Sequence, residues 1–293
     1  MRVQIIGAGA VGMMVASFFA DAGHDVTLVC RRRAQVLSLN EKGLTRVNVD
    51  GSLKVNSVSA SEVVNAESDL LVIAVKSGQL QDVMAILPLD IPMLFLQNGM
   101  AHLDIVNSME LEQAVFGSAQ FGAMRDGDTT VIHRGIGVLK IASAMQENRM
   151  LEMISALSCN WFPVVIQRDV EQMLFEKALL NCFINPLTAL LQVKNGQLIE
   201  NPYAYTLLKQ LYGEMVHAFP EDCVRFEDVV ELCLKTSGNT SSMLADHLEK
   251  RRSEAPSIVG AVLQKARNNN SEIPTLNTLY QLILAKEQEG GFW

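Results

Sequence analysis

The sequence predicts an α/β domain followed by an all-helical domain, and three observations lead to this prediction. A glycine-rich turn separates a strand-like from a helix-like segment at the start of the chain. Strand-like runs then alternate with helical ones, as in a parallel sheet with crossover helices. After about residue 168 the strand patterns give way to helical periodicity. We therefore predict an α/β Rossmann-type dinucleotide-binding domain over residues 1–167, followed by an all-α C-terminal domain over residues 168–293.

Composition excludes several classes of function. The chain has 293 residues, of which 49% are hydrophobic and 19% charged, as in soluble globular proteins. Its 32 acidic residues outnumber 24 basic ones, which argues against nucleic-acid binding because phosphate neutralisation requires a basic face. Five cysteines without a CxxC spacing indicate neither disulfides nor a metal site. No uninterrupted run approaches the roughly 20 apolar residues of a membrane span, so we expect a cytoplasmic protein without a membrane partner.

The N-terminal stretch "VQIIGAGAVG" carries the motif GxGxxG at Gly7, Gly9 and Gly12. A short apolar strand precedes the motif, and a helix from about residue 10 to 22 follows it. The three glycines allow, in turn, a tight turn, close backbone approach to a pyrophosphate, and close packing of helix on strand. The helix start at Ala10 and Val11 presents unpaired N–H groups to the phosphates. Dinucleotide binding is the favoured interpretation, and a purely structural turn is the alternative.

The end of the second predicted strand indicates which dinucleotide is bound. NAD-binding versions usually carry Asp or Glu there, which binds the ribose 2′-OH. This chain instead has Cys30 followed by Arg31, Arg32 and Arg33. A guanidinium forms charge-assisted hydrogen bonds with a 2′-phosphate, so the sequence favours NADPH. Arg31 is the expected contact, and Arg32 and Arg33 could simply be solvated.

Polar residues follow two further strand-like runs. Lys76 comes after "DLLVIAV", and Asn98 comes after "MLFL". Ligands of open α/β sheets bind beyond the carboxyl ends of the strands, so both residues are candidates for the site. A surface lysine and a turn asparagine are the alternatives. Further on, Asp126-Gly127 is a hairpin signal that predicts an antiparallel extension of the sheet, and a last short strand is expected after Pro163.

The first long helix of the second domain has a polar stripe. Lys177, Asn181 and Asn185 recur at i, i+4 and i+8 of "VEQMLFEKALLNCFINPLTALL", which is otherwise apolar on nearly every side. Burying them costs several kcal/mol unless partners or a ligand satisfy their polar groups. A salt bridge to the adjacent Glu176 is the alternative for the lysine. Pro186 should kink or end this helix.

A second polar cluster lies near residue 240. Asn239, Ser241 and Ser242 precede a predicted helix, where one of them is expected to be an N-cap. Glu254 stands before an apolar helix that begins at Pro256, and it could also be a cap. Capping explains one residue of the cluster and does not explain all three.

The segments "EKALLNCFINPLTALLQVKNGQL" and "NTSSMLADHLEKRRSE" resemble the signature segments of the ketopantoate reductase (2-dehydropantoate 2-reductase) family. Together with "GAGAVG", "VKSGQ" and "LQNGM", the resemblance covers essentially the whole chain. It implies an oxidoreductase with a Rossmann domain and a helical domain that reduces 2-dehydropantoate to (R)-pantoate with NADPH, in pantothenate and coenzyme A biosynthesis. After the glutamate, this chain departs from the family pattern at Pro256 and Val259, where polar residues are common.

The resemblance also implies roles for individual residues. Lys177 would be the general acid, and Glu254 would bind and orient the nascent hydroxyl. The keto acid would contact Asn98, Asn181, Asn185, Asn239 and Ser242, and the cofactor would contact Gly7, Gly9, Ala10, Val11, Gly12, Arg31, Lys76 and Asn98. The alternatives are a reductase of another small 2-keto acid on the same scaffold and a non-enzymatic NADPH-binding regulator. We expect a monomer or a homodimer.

Overall fold

The structure is a computed structural model that describes residues 1–109, 111, 113–145 and 148–291. Contacts divide the chain into two compact units. The first unit consists of Met1–Gln97 and Leu103–Met173, and the second consists of Asn98–His102 and the chain from Leu174 onward. The short segment 98–102 therefore groups with the C-terminal helices, which the sequence does not predict.

The strands, in chain order, are β1 (Arg2–Ile6), β2 (Asp25–Val29), β3 (Leu44–Val47), β4 (Leu53–Asn56), β5 (Ser59–Ser61), β6 (Leu70–Ile73), β7 (Met93–Phe95), β8 (Ala114–Ala119), β9 (Gly122–Asp126), β10 (Thr130–Gly135), β11 (Leu139–Ala142) and β12 (Val164–Ile166). The helices among these strands are α1 (Ala10–Asp21), α2 (Arg33–Lys42), α3 (Leu80–Met84), α4 (Ala101–Asn107) and α5 (Arg149–Ser155), with a 3-10 turn at Ser77–Gln79.

The main sheet of the first unit has eight strands in the order β12-β11-β8-β7-β6-β1-β2-β5. Every neighbouring pair is parallel except β8 and β11. Strand β1 is an interior strand of this sheet, with Val3 paired to Val26 of β2 on one side and to Leu70 of β6 on the other. Because β1 and β2 lie side by side, the turn after Ile6 and the arginines after Val29 lie at the same edge of the sheet. This arrangement confirms the predicted α/β Rossmann-type fold.

The region after residue 117 is divided between two sheets. Strand β11 pairs antiparallel with β8 and so forms the predicted antiparallel extension of the main sheet. The hairpin of β9 and β10, which turns at Gly127 with φ of +69°, lies instead in a second sheet of order β4-β3-β10-β9. The sequence signal identifies the hairpin but not its sheet, because sheet membership depends on pairing with the distant strand β3.

The second unit is helical, as predicted. Its helices are α6 (Val170–Leu191), α7 (Gln197–Glu200), α8 (Pro202–Ala218), α9 (Phe226–Lys235), α10 (Ser242–Leu248), α11 (Ala261–Asn268) and α12 (Pro274–Glu289), with a π-helical turn at Pro256–Gly260 that leads into α11. Fully buried side chains from several of them, among them Phe183, Leu211 and Ile283, form one hydrophobic core.

Helix α6 is long and apolar enough to cross a membrane, judged by its length and composition alone. The sequence, in contrast, predicts no membrane span, because no uninterrupted apolar run is long enough. In the structure, 67% of the most apolar window of α6 is buried inside the protein, as in a core helix. It continues through Pro186 to Leu191, so the proline does not end it. Ile184 and Leu187 on either side of the proline are buried in the core, and their packing holds the helix together where one backbone hydrogen bond is missing.

Candidate active site

The glycine turn between β1 and α1 has the geometry of a phosphate-binding turn. Gly7 has a φ of +107°, which L side chains rarely adopt. A Cβ added at Gly12 would lie 2.0 Å from the carbonyl oxygen of Gly7, so only glycine allows α1 to approach the turn this closely. A Cβ at Gly9, by contrast, would meet no atom within 4 Å. Gly9 therefore borders open space at the N-terminus of α1, where an anion would be stabilised.

A cavity of about 770 Å³ opens at this turn. Of the predicted cofactor residues, Gly7, Gly9 and Arg31 line it, and its other cationic side chains are Arg32 and Arg125. In the described part of the chain, Ala10, Val11, Gly12 and Lys76 are not part of this lining. A bare backbone at a helix N-terminus, with guanidinium groups nearby, fits the pyrophosphate and 2′-phosphate of a dinucleotide.

The three consecutive arginines have different surroundings. Arg32 forms an ion pair with Asp128, so its charge is already engaged by a carboxylate. Arg33 is the exposed first residue of α2, and it is not part of the cavity lining in the described chain. Arg31 is exposed and lines the cavity. Arg125 on β9 also lines the cavity, and no sequence motif marks it because it reaches this position through the second sheet.

In the second unit, one amide joins the predicted catalytic residues. Lys177 on α6 donates from Nζ to Oδ1 of Asn98 at 2.7 Å. Asn98 in turn donates from Nδ2 to Oε2 of Glu254 at 2.8 Å. These two hydrogen bonds fix the orientation of the amide and link an ammonium group to a carboxylate. The structure therefore brings together three predicted residues that are far apart in sequence.

Ser257, which no sequence pattern marks, holds the two loops of this cluster together. Its hydroxyl donates to the carbonyl oxygens of Asn98 at 3.0 Å and Glu254 at 3.1 Å. Its own carbonyl accepts a hydrogen bond from the N–H of Met100 at 2.9 Å. Gly99 has a φ of +81°, and a Cβ there would lie 2.0 Å from that same carbonyl oxygen. The π-helical turn thus requires the glycine of "QNGM", and π-turns often occur at functional sites.

Burial and a nearby carboxylate set the pKa of Lys177. Burial lowers the pKa of the ammonium group, and the negative charge of Glu254 raises it, which gives a pKa of about 8. His102 on α4 is fully buried, and its pKa falls to about 4 through burial and then through the positive charge of Lys177. At neutral pH the imidazole is therefore uncharged, while Lys177 is mostly protonated and still able to release its proton.

The other predicted substrate residues lie on α6 and around the start of α10. Asn181 and the buried Asn185 continue the helical face of Lys177 at i+4 and i+8. Ser241 is the N-cap of α10: its Oγ accepts from the N–H of Leu244 at 3.1 Å. Ser242 and Asn239 are solvent-exposed. Ser241 is therefore the capping residue, and capping does not account for its two neighbours.

Helix α6 also supports the loop before α10. Thr188 hydrogen-bonds Ser241 between their hydroxyl oxygens at 2.8 Å. Asn195 donates from its backbone N–H to the carbonyl of Asn239 at 3.2 Å and from its side chain to Thr236 at 2.9 Å. The segment that carries Asn239 is thus fixed to α6 through Thr188 and to the loop after α6 through Asn195.

Comparison with known proteins shows which family the chain resembles over its whole length. Residues 3–146 match the family described as "Ketopantoate reductase PanE/ApbA", and residues 169–287 match its C-terminal counterpart. A 2-dehydropantoate 2-reductase of Listeria monocytogenes is 38% identical over 298 residues, which cover 99% of this chain and 98% of that protein.

Two solved structures extend the comparison. A probable 2-dehydropantoate 2-reductase of Bacillus subtilis superposes with a TM-score of 0.82 and 32% identity, covering 98% of this chain and all of that one. A D-mandelate dehydrogenase, solved with NADH and anilino(oxo)acetate, has a TM-score of 0.85 and 22% identity, covering 99% of this chain and all of that one. The latter likeness concerns the fold alone.

Proposed function

Since the chain belongs to the ketopantoate reductase family, we propose that it reduces 2-dehydropantoate to (R)-pantoate with NADPH, and that Lys177 is the proton donor. The chain is accordingly an oxidoreductase with a dinucleotide-binding fold. The observation that carries the proposal is the hydrogen-bonded series of Lys177, Asn98 and Glu254. A protein that only sensed NADPH would not require a partly buried lysine with a pKa of about 8, which a nearby carboxylate raises.

NADPH, when bound, supplies the hydride. Gly7 and Gly9 would hold the pyrophosphate at the N-terminus of α1, where Ala10, Val11 and Gly12 form the first turn. Arg31 would bind the 2′-phosphate, because Arg32 is already engaged by Asp128. Lys76, which follows β6 at the carboxyl end of the sheet, would contact the cofactor as the family resemblance implies.

Lys177 would act on the carbonyl oxygen of the substrate. Negative charge on this oxygen appears only as the carbonyl is reduced, so a protonated lysine stabilises the transition state more than the ground state. Lys177 then transfers its proton to that oxygen, which makes the hydroxyl of the product. Glu254 would accept a hydrogen bond from this hydroxyl, and Asn98 would keep the ammonium group and the carboxylate in register.

The remaining polar residues would select the substrate. Ser242 and Asn239, exposed at the start of α10, would bind the carboxylate of the keto acid. Asn181 and Asn185 would line the pocket along α6 beside Lys177. Hydrogen-bonding side chains of this kind position a carbonyl for reaction and so lower the entropic part of the barrier.

Steady-state turnover tests the proposal directly. The purified chain should oxidise NADPH when 2-dehydropantoate is added, more efficiently than with NADH. Parallel assays with other small 2-keto acids, including aromatic ones, test the alternative that the scaffold serves another substrate. A higher kcat/KM for any of those acids would overturn the assignment of 2-dehydropantoate. Absence of turnover with every acid, in a chain that binds NADPH, would favour a binding role.

We further propose a cytoplasmic location and no nucleic-acid or membrane partner. All five cysteines are free, as expected for a reducing compartment, and the apolar helix α6 is mostly buried. The oligomeric state, a monomer or a homodimer, can be determined by light scattering of the purified chain.

A further inference from the structure

Glu287 is a buried carboxylate in the last helix, α12, outside the cluster of Lys177, Asn98 and Glu254. Only 7% of its surface is exposed. Burial raises its pKa, but hydrogen bonds from His247 and Ser253 outweigh this effect and bring the pKa below its usual value. The side chain is therefore an anion inside the helical unit, and such a buried charge is costly unless it is well paired.

The hydrogen-bond partners of Glu287 include Ser253, the residue that precedes Glu254 in the candidate site. Its Oε1 accepts hydrogen bonds from the backbone N–H of Ser253 at 3.0 Å and from the Ser253 hydroxyl at 2.6 Å. The same oxygen lies 3.1 Å from Nε2 of His247 on α10. The Ser253 hydroxyl also accepts from the N–H of Ala255 at 3.3 Å. Ser253 and Ala255 are the two chain neighbours of Glu254.

Glu254 itself lies on an irregular segment between α10 and the π-helical turn. On its C-terminal side the backbone is held, because its carbonyl accepts from the N–H groups of Ser257 at 3.1 Å and Ile258 at 3.0 Å. On its N-terminal side the backbone is fixed by the two hydrogen bonds that Ser253 donates to Glu287. The two sides together fix the backbone from which the Glu254 side chain reaches Asn98.

We infer that Glu287 is a positioning residue: it anchors Ser253 and thereby keeps the Glu254 carboxylate in register with Asn98 and Lys177. This inference rests on the proposed function of that cluster. An oxygen acceptor is required at this position because three hydrogen-bonding groups converge on Oε1, which an apolar side chain could not satisfy. Through His247, the same oxygen also holds α10, whose first residue is Ser242.

The test compares Glu287→Ala with Glu287→Gln, which keeps an oxygen acceptor for Ser253 in nearly the same volume. Glu287→Ala should lower kcat/KM by about 10-fold to 100-fold, as expected when a catalytic group is slightly misplaced, and the glutamine variant should recover most of it. Glu289→Ala, an exposed change in the same helix, is the matched control and should resemble the wild type.

A second readout does not depend on turnover. NMR titration of labelled lysine should show the pKa of Lys177 falling below about 8 in Glu287→Ala, because the displaced Glu254 no longer raises it. Glu254 raises the pKa of Lys177, and the nearby His102 is neutral, so a fall in this pKa reports a weaker influence of the carboxylate. This pKa can be measured even if the wild type fails to reduce 2-dehydropantoate, which separates failure of the proposed function from failure of the inference.

Two results would overturn the inference. One is a folded Glu287→Ala chain with wild-type kcat/KM and an unchanged Lys177 pKa. The other is a loss of activity that only follows the folded fraction, with KM and the Lys177 pKa unchanged, since this would make Glu287 a purely structural residue. If Glu287→Ala does not fold, Ser253→Ala decides: it removes one of the two hydrogen bonds and must change kcat/KM and the pKa in the same direction.

Discussion

Replacing Glu254 with glutamine should move the basic limb of the pH profile of kcat/KM to lower pH. As the proposed proton donor, Lys177 must be protonated to act, so we expect full activity below its pKa of about 8 and a loss of activity as the pH rises through that value. Glu254 raises this pKa, because a nearby negative charge favours the ammonium form. Without that charge, burial is no longer opposed and the pKa falls.

The hydrogen bonds of Asn98 indicate the size of the effect. The amide contacts the ammonium group at 2.7 Å and the carboxylate at 2.8 Å, so one side-chain amide separates the two charges. Two unit charges about 6 Å apart at an effective dielectric constant of about 20 interact by about 3 kcal/mol, which corresponds to about two pKa units. Residual solvent exposure of both side chains reduces this value, so we expect a shift of about one to two units.

The assay measures kcat/KM from about pH 6 to 10, because this parameter reports the pKa values of the free enzyme. Glu176→Gln is the matched control, since Glu176 is the carboxylate adjacent to Lys177 in sequence and the alternative ion-pair partner. Its limb should stay near pH 8. If the basic limb of the pH profile does not move in Glu254→Gln, or if it moves equally far in Glu176→Gln, Glu254 is not the group that raises the pKa of Lys177.

Five further variants test the glycine turn, Arg31 and the two serines at the start of α10. Gly9→Val should fold normally but lose NADPH binding in calorimetry, because its side chain would fill the open space where the cofactor is expected to bind. Gly12→Val should instead lower the Tm, because a Cβ there meets the Gly7 carbonyl. A folded Gly9→Val chain that binds NADPH normally would contradict this prediction. Arg31→Ala should raise the KM for NADPH about tenfold or more and leave NADH nearly unchanged, because it removes a charge-assisted bond worth about 1.5–3 kcal/mol; equal losses for both cofactors would indicate a folding role. Ser241→Ala should lower the free energy of unfolding by about 1 kcal/mol in denaturant titration, because it removes the N-cap of α10. Ser242→Ala should mainly raise the KM for the keto acid. If Ser242→Ala lowers the stability and Ser241→Ala does not, the cap assignment is wrong.

Local patterns are sufficient to predict most of the first unit. The glycine motif and the following helix depend on residues close together in sequence, and α1 begins at Ala10 as predicted. The helical second unit follows equally from its periodicity. The N-cap of α10 is not fixed by sequence, because Asn239, Ser241 and Ser242 are all residue types that favour that position, and only the hydrogen bond to Leu244 identifies Ser241.

Contacts between distant segments could not be predicted in the same way. Asn98 is 79 residues from Lys177 and 156 from Glu254, so its role as the bridge between them depends on the folded chain. The sequence marks it only as a polar residue after a strand. Arg125 reaches the dinucleotide cavity through pairing in the second sheet, and Glu287 lies 34 residues from its partner Ser253. No local pattern encodes such pairings.

Turnover of the Lys177→Ala variant tests the central claim most directly. The proton donor acts in the transition state, so kcat for reduction of 2-dehydropantoate should fall by about 10²-fold or more, while NADPH affinity in calorimetry stays close to the wild-type value. Lys177→Arg should recover little, because a guanidinium keeps the charge but does not release a proton at working pH. A folded Lys177→Ala chain with near wild-type kcat would contradict the account and reduce Lys177 to an ion-pair partner of a neighbouring carboxylate.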